Sequence, residues 1–237
     1  MSNAHAGRRP MLTAAGLIAL ASMVAVFVVS GPGSGHAATE HSHAATEHAQ
    51  GAVVPVRTSK AIRFHDGMRK LWEDHITWTR LAIVSFAGGL PDFDQTAARL
   101  VRNQTDIGNA IKPYYGKKAG ERLTALLKEH IAGAVELLKA AKAGDDNAFA
   151  TAKDAWYRNG RQIARFLSSA NPRFLPFART DRLMKRHLDD TLDEAAHQLG
   201  GDFGASVRDY DHIHHHILRM SDAISDGIIR QFPGRFR

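Results

Sequence analysis

Six polar residues interrupt the apolar faces of six helix-like segments, one near the middle of each segment. Four are histidines and two are carboxamides: His75, Gln104, His130, Asn159, His187 and His214. Because the 3.6-residue period places each of them where an apolar side chain is expected, they should form a polar layer inside a helical bundle. Groups of three or four imidazoles bind zinc, copper or iron. The sequence therefore predicts a buried transition-metal site in this layer.

Acidic side chains near the last two histidines extend the candidate site. Asp211 lies one helical turn before His214, and Glu194 shares a polar stripe with His187. A carboxylate and an imidazole at this spacing can reach one ion. We expect metal ligands among His75, His130, His187, His214, Glu194 and Asp211, with Asn103, Gln104 and Asn159 orienting them by hydrogen bonds. His215 and His216 are expected to face water.

Two other interpretations of the polar layer stay open. In a metal-free protein, neutral His, Asn and Gln side chains would satisfy one another and fix helix register, or line the pocket of a small-ligand binding or sensor module. A noncovalent haem b between two histidines, or between His214 and Met220, is the other interpretation. The chain has no cysteine, which excludes covalent c-type haem and thiolate metal sites.

The apolar periodicity predicts an all-α fold, an up-and-down bundle of about six long helices with a four-helix-bundle-like core. Glycine and proline residues mark the ends of the segments, and no alternating strand pattern competes with them. The predicted helices run over residues 59–87, 92–111, 119–143, 145–170, 180–199 and 202–229.

The N-terminal part of the chain has the composition of an export signal. Arg8 and Arg9 precede an apolar run from Met11 to Val29. We interpret residues 1–37 as an export signal or an uncleaved membrane anchor, which predicts an extracytoplasmic location. Residues 38–57 are a His- and Ala-rich flexible linker in which His41, His43 and His48 would hold a metal loosely. Residues 58–237 form the helical bundle domain.

Composition and motifs narrow the function classes. The 237-residue chain has a formal net charge of +7, but its Lys and Arg residues are scattered along helix faces, which argues against nucleic-acid binding. No phosphate-binding glycine loop, nucleophile elbow or zinc-protease helix is present in the sequence. The expected partner is therefore a metal ion or a small ligand, and the sequence assigns no enzymatic activity.

Three segments carry a resemblance to a known family. They are residues 71–80 (LWEDHITWTR), residues 103–116 (NQTDIGNAIKPYYG) and residues 231–233 (QFP). With these motifs the chain resembles a family of uncharacterised bacterial helical proteins, over about Phe64 to Phe236. The resemblance supports the boundary of the bundle domain and implies no particular activity.

Overall fold

The computed structural model describes residues 58–237, and within this range the chain is helical with no strand. The predicted all-α class is confirmed. The predicted export signal, the linker and the loose metal site of His41, His43 and His48 lie outside the described residues. The elements are α1 (Ser59–Gly88), α2 (Phe93–Tyr115), α3 (Lys117–Ala143), α4 (Asp146–Ala170), α5 (Phe177–Gly200), α6 (Phe203–Gln231) and a short 3₁₀ helix (Pro233–Arg235).

Side-chain caps and left-handed glycines set the helix ends. The hydroxyl of Thr58 accepts a hydrogen bond from the backbone N–H of Ala61 at 3.2 Å and so caps α1. Asp145 and Asp202 cap α4 and α6 in the same way. Gly144 ends α3 with φ 67°, a conformation that glycine adopts without strain.

Several helices extend beyond the predicted ends, and Pro113 shows why. The sequence predicted that α2 would stop before this proline, yet the helix continues to Tyr115. Proline removes one backbone donor but leaves the other hydrogen bonds of the last turn possible. The N–H of Gly116 still donates to the carbonyl of Lys112 at 2.9 Å, which closes that turn.

Helices that follow one another in sequence pack side by side, and α6 returns to pack against α1. The bundle is therefore closed, as expected for up-and-down helices with short connections. Helix α5 contacts α1 and α3 in addition to its neighbours α4 and α6. This central position brings the middle of α5 close to the middles of α1 and α3, where two of the predicted histidines lie.

Helices α2 and α3 approach each other closely at two glycines. A β-carbon added at Gly108 would lie 2.6 Å from the carbonyl oxygen of Gly120 and would overlap the hydroxyl of Thr124. A β-carbon at Gly120 would lie 2.6 Å from the carbonyl oxygen of Gly108. The two glycines therefore determine the spacing of these helices, and with it the position of Gln104 one turn before Gly108.

We expect Gly108→Ala to lower the free energy of unfolding by about 1 to 3 kcal/mol, because the steric cost of forcing the helices apart exceeds the gain in helix propensity. Urea unfolding followed by circular dichroism measures this change. Gly67→Ala is the matched control, since no heavy atom lies within 4 Å of the added carbon in α1. It should stabilise the protein by up to about 1 kcal/mol. Equal stabilisation by both substitutions would contradict the close approach.

Candidate functional site

Three histidines from three helices meet inside the bundle. His75 on α1, His130 on α3 and His187 on α5 are 2%, 3% and 3% exposed. The ring centres of His75 and His187 are 5.7 Å apart, and those of His130 and His187 are 6.2 Å apart. We call these residues the histidine trio. Their convergence follows from the central position of α5, whose His187 lies close to both other rings.

The ring of His130 is oriented by an amide and a tryptophan. Its Nδ1 lies 3.1 Å from Oδ1 of Asn159, whose Nδ2 donates to the carbonyl of Leu126 at 3.1 Å. Since that amide orientation presents an oxygen to the ring, Nδ1 of His130 carries the hydrogen and Nε2 has a free lone pair. The indole of Trp156 stacks on the imidazole at a centroid distance of 5.1 Å and donates to the His130 carbonyl at 3.0 Å.

The ring of His75 is held by two amides of α2. Nε2 of Gln104 lies 3.1 Å from Nδ1 of His75, 2.8 Å from the carbonyl of Leu100 and 3.2 Å from Oδ1 of Asn103. Asn103 is anchored by its own donation to the carbonyl of Leu71 at 3.0 Å. Gln104 and Asn103 are both fully buried. Gln104 and Asn159 thus lie within hydrogen-bonding distance of His75 and His130.

His187 differs from the other two histidines in lacking a partner. Its Nδ1 is buried and has no hydrogen bond within residues 58–237, and the same holds for Oε1 of Gln104. An unpaired buried polar atom costs about 1 to 3 kcal/mol unless a water, an ion or a ligand satisfies it. Two of them occur in the polar layer around the histidine trio.

All three imidazoles of the trio are neutral at physiological pH. Burial lowers the pKa of His75 to about 3 and that of His130 to about 4, with hydrogen bonds to Asn103 and Asn159 acting in the opposite direction. Burial, and then the proximity of His75, His130 and His216, hold the pKa of His187 well below its usual range. The neutral imidazole is the form that binds a metal ion.

A cavity of about 50 Å³ adjoins the trio. Besides the three histidines, its wall contains two threonines and twelve apolar residues from α1 to α5. Within residues 58–237, no group of three or more His, Cys, Asp or Glu side chains lies at metal-ligand spacing. Two imidazoles bound to one zinc ion place their ring centres roughly 5 Å apart, so the trio is wider than this spacing by about 1 Å.

The structure places the other predicted ligands away from the trio. His214 lies near the surface, where its Nε2 is 2.9 Å from a carboxylate oxygen of Glu73. Asp211 is exposed. Neither residue lines the cavity. Both lie toward solvent because the buried stripe of α6 runs through Ile213, Ile217 and Met220 instead.

Glu194 is buried, but it pairs with an arginine instead of approaching the trio. Its Oε1 lies 2.6 Å from a guanidinium nitrogen of Arg80, which also donates to the hydroxyl of Ser206 at 2.9 Å. Burial raises the pKa of Glu194 to about 7, and the hydrogen bond and charge of Arg80 act against this rise. Through Arg80, Glu194 therefore links α1, α5 and α6, and it does not line the cavity beside the imidazoles.

His216 was expected to face water, and this expectation is wrong. The residue is 5% exposed, and its Nε2–H donates to the carbonyl of Leu183 at 2.9 Å. The signal in the sequence was the helical spacing of Ile213, His216, Ile217 and Met220, which places His216 on the buried face. It is therefore a fourth interior imidazole, and its tautomer is set by a backbone carbonyl.

Within residues 58–237, no helix is both long and apolar enough to cross a membrane. Comparison of the chain with models of protein families, with curated proteins and with solved structures gives no match.

Proposed function

We propose that this protein is an extracytoplasmic helical bundle that binds one transition-metal ion through His75, His130 and His187. The observation that carries the proposal is the meeting of three neutral imidazoles from three different helices in the protein interior. Desolvation keeps these rings uncharged, so each retains one nitrogen lone pair and a cation would not have to displace the extra proton of an imidazolium. The proposed location outside the cytoplasm rests on the basic and apolar leader sequence.

The amide contact to one of the rings supports this ligand set. Histidines that bind metals usually donate their second ring N–H to a carbonyl or carboxylate, which fixes ring orientation and tautomer. Asn159 provides this contact to His130. At His75 the direction is reversed, because Nε2 of Gln104 donates to Nδ1, so an ion bound to His75 at Nδ1 would replace this hydrogen bond. The ion would also provide a partner for the unpaired Nδ1 of His187. Zinc, copper and iron are all compatible with imidazole ligands.

The ring spacing requires a small adjustment on binding. Ring centres 5.7 Å and 6.2 Å apart must approach by about 1 Å or less to share one ion. Three protein ligands leave a fourth coordination position open, as in catalytic zinc sites.

The cavity beside the trio favours a second candidate function, a metal-free module that binds a small apolar ligand. A haem is not proposed, because a cavity of about 50 Å³ has no room for a macrocycle. A haem held between His214 and Met220 would need both side chains to point into one pocket. His214 instead lies near the surface, and Met220 lies in the core. The two candidate functions predict different results in a metal titration. The metal-binding protein binds a cation at the trio with saturation, and the metal-free module does not.

Cobalt(II) titration tests the proposal. The protein should be the full chain with His36, His41, His43 and His48 replaced by Ala, so that the N-terminal segment does not collect metal. We expect one equivalent of Co²⁺ to give the intense visible absorption of a four-coordinate nitrogen site, and Zn²⁺ to displace it. Absence of saturable visible absorption would contradict the metal function. Circular dichroism of the same samples establishes that the bundle is folded.

A further inference from the structure

The cavity beside the histidine trio is walled almost entirely by apolar groups. Ile83, Leu100, Ile131 and Leu138 contribute aliphatic side chains, and Trp156 contributes part of its indole. The wall draws residues from five helices, so the cavity lies between the helices of the bundle. Any guest in this cavity contacts hydrocarbon on most sides and imidazole on one.

The two threonines of the wall offer little polarity to a guest. The hydroxyl of Thr79 donates to the carbonyl of His75 at 2.8 Å, and that of Thr191 donates to the carbonyl of His187 at 2.8 Å. These bonds use the only hydrogen of each hydroxyl within its own helix. The imidazoles are therefore the main hydrogen-bonding groups that a guest would meet.

The volume restricts the guest to a very small molecule. An engineered cavity of about 150 Å³ lined by Leu, Ile and Phe stays dry and binds benzene or xenon, whereas one water needs about 10 to 15 Å³. The present cavity of about 50 Å³ lies between these limits. It accommodates two or three heavy atoms but not an aromatic ring. An anion of this size is disfavoured because no described cationic side chain lines the cavity to offset its desolvation.

We infer that this cavity binds an uncharged diatomic molecule, of the class of dioxygen, nitric oxide or carbon monoxide, next to the histidine trio. The inference rests on the proposed function only in that the same three histidines line the cavity, so a guest would lie beside any metal ion that they bind. Phe93, Ala134, Val135 and Leu192 in the wall are half-buried. One side of the cavity therefore lies close to solvent, from which a small guest can enter.

Xenon is a suitable probe because it binds apolar cavities of this kind without needing a metal. The experiment follows methyl resonances of the metal-free full chain, with His36, His41, His43 and His48 substituted as above, as dissolved xenon is increased. We expect saturable shifts at Ile83, Ile131 and Leu138, which line the cavity. Ile213 and Ile217 are buried outside it and should not shift.

Ala134→Leu adds bulk at the cavity wall and should reduce the xenon shifts at least tenfold. Ala132→Leu is the matched control, because Ala132 is exposed on the same helix. Ala195→Val fills the wall from α5 and provides a second test if Ala134→Leu does not fold. Absence of saturable shifts in the parent protein, or equal shifts in the wall variants and the control, would overturn the inference.

The xenon and cobalt experiments test the cavity inference and the metal function separately. Cobalt binding without xenon binding would support the metal function and overturn the inference that the cavity binds a diatomic molecule. Xenon binding without cobalt binding would retain the cavity inference and remove the metal site. In the second case the small-ligand module becomes the function that the structure supports.

Discussion

Acidification from pH 6.5 to pH 4.5 should lower the free energy of unfolding of the metal-free protein by about 5 kcal/mol. In the unfolded chain, each histidine of the trio has a pKa near 6.5. In the native bundle, burial lowers these values to about 3 for His75 and about 4 for His130, and it holds His187 well below its usual range. Between the two sets of values the unfolded state binds more protons, so stability falls as pH falls.

Glu194 opposes this trend. Its native pKa of about 7 lies above the value near 4.3 for an unfolded glutamate, so its contribution to stability is largest at acid pH and is lost as pH rises through 7. Between pH 4.5 and 6.5, the effect of Glu194 on the free energy of unfolding cancels the effect of about one of the three histidines. Each uncancelled group contributes about 1.4 kcal/mol per pH unit, which gives the net figure of about 5 kcal/mol. This is a large share of the 5 to 15 kcal/mol typical of a folded domain.

Urea unfolding at a series of pH values, after metal removal, measures the effect. His130→Gln should reduce the pH slope by about 1.4 kcal/mol per pH unit, because one buried imidazole is replaced by an amide that does not titrate. His215→Gln is the matched control, since His215 is exposed on α6. A free energy of unfolding that stays constant or rises as pH falls over this range would contradict the neutral, buried trio. Added Zn²⁺ should raise the stability most at neutral pH, where protons compete least for the ring nitrogens.

Replacing a trio histidine should weaken Co²⁺ affinity by at least about 100-fold. Loss of a group that merely orients a ligand typically costs 10 to 100-fold, and loss of the ligand itself costs more. The expectation applies to His187→Ala, His75→Ala and His130→Ala alike. Asn159→Leu removes the acceptor for Nδ1 of His130 and should cost about 10 to 100-fold. Competitive titration against a chelator of known affinity gives these values.

His214→Ala is the matched control for this series. His214 bonds to Glu73 near the surface and does not line the cavity, so its loss should leave Co²⁺ affinity within about twofold of the parent. If a trio variant fails to fold, the corresponding His→Gln substitution preserves more side-chain volume and hydrogen-bonding capacity. Equal affinities in the trio variants and the His214 control would show that the trio does not bind the ion.

The helices and their burial pattern were largely predictable from the sequence. Apolar residues at helical spacing identified the interior faces of α1 and α3, on which His75 and His130 are both buried. Amide partners of these rings could also be expected, because Gln104 and Asn159 occupy the same level of the following helices. Helix ends were less predictable, as Pro113 shows, since a proline in the last turn removes only one hydrogen bond.

The composition of the site was not predictable in the same way. Periodicity shows which face of a helix is buried but not which helix becomes its neighbour. The contacts of α5 with α1 and α3 therefore could not be inferred, although they determine that His187 joins the trio. On α6, consecutive histidines make the choice of buried face ambiguous within one turn. His216 is buried and His214 is not because Ile213, Ile217 and Met220 outweigh the mid-helix position of His214.

A crystal structure of the full chain loaded with Zn²⁺ would show whether the histidine trio binds a metal ion. Anomalous scattering at the zinc edge locates the ion without assumptions about its ligands. We expect one strong anomalous peak within the bundle, about 2.0 to 2.1 Å from one ring nitrogen each of His75, His130 and His187. Peaks confined to His214, His215 or the N-terminal histidines, with the trio unchanged, would contradict this expectation.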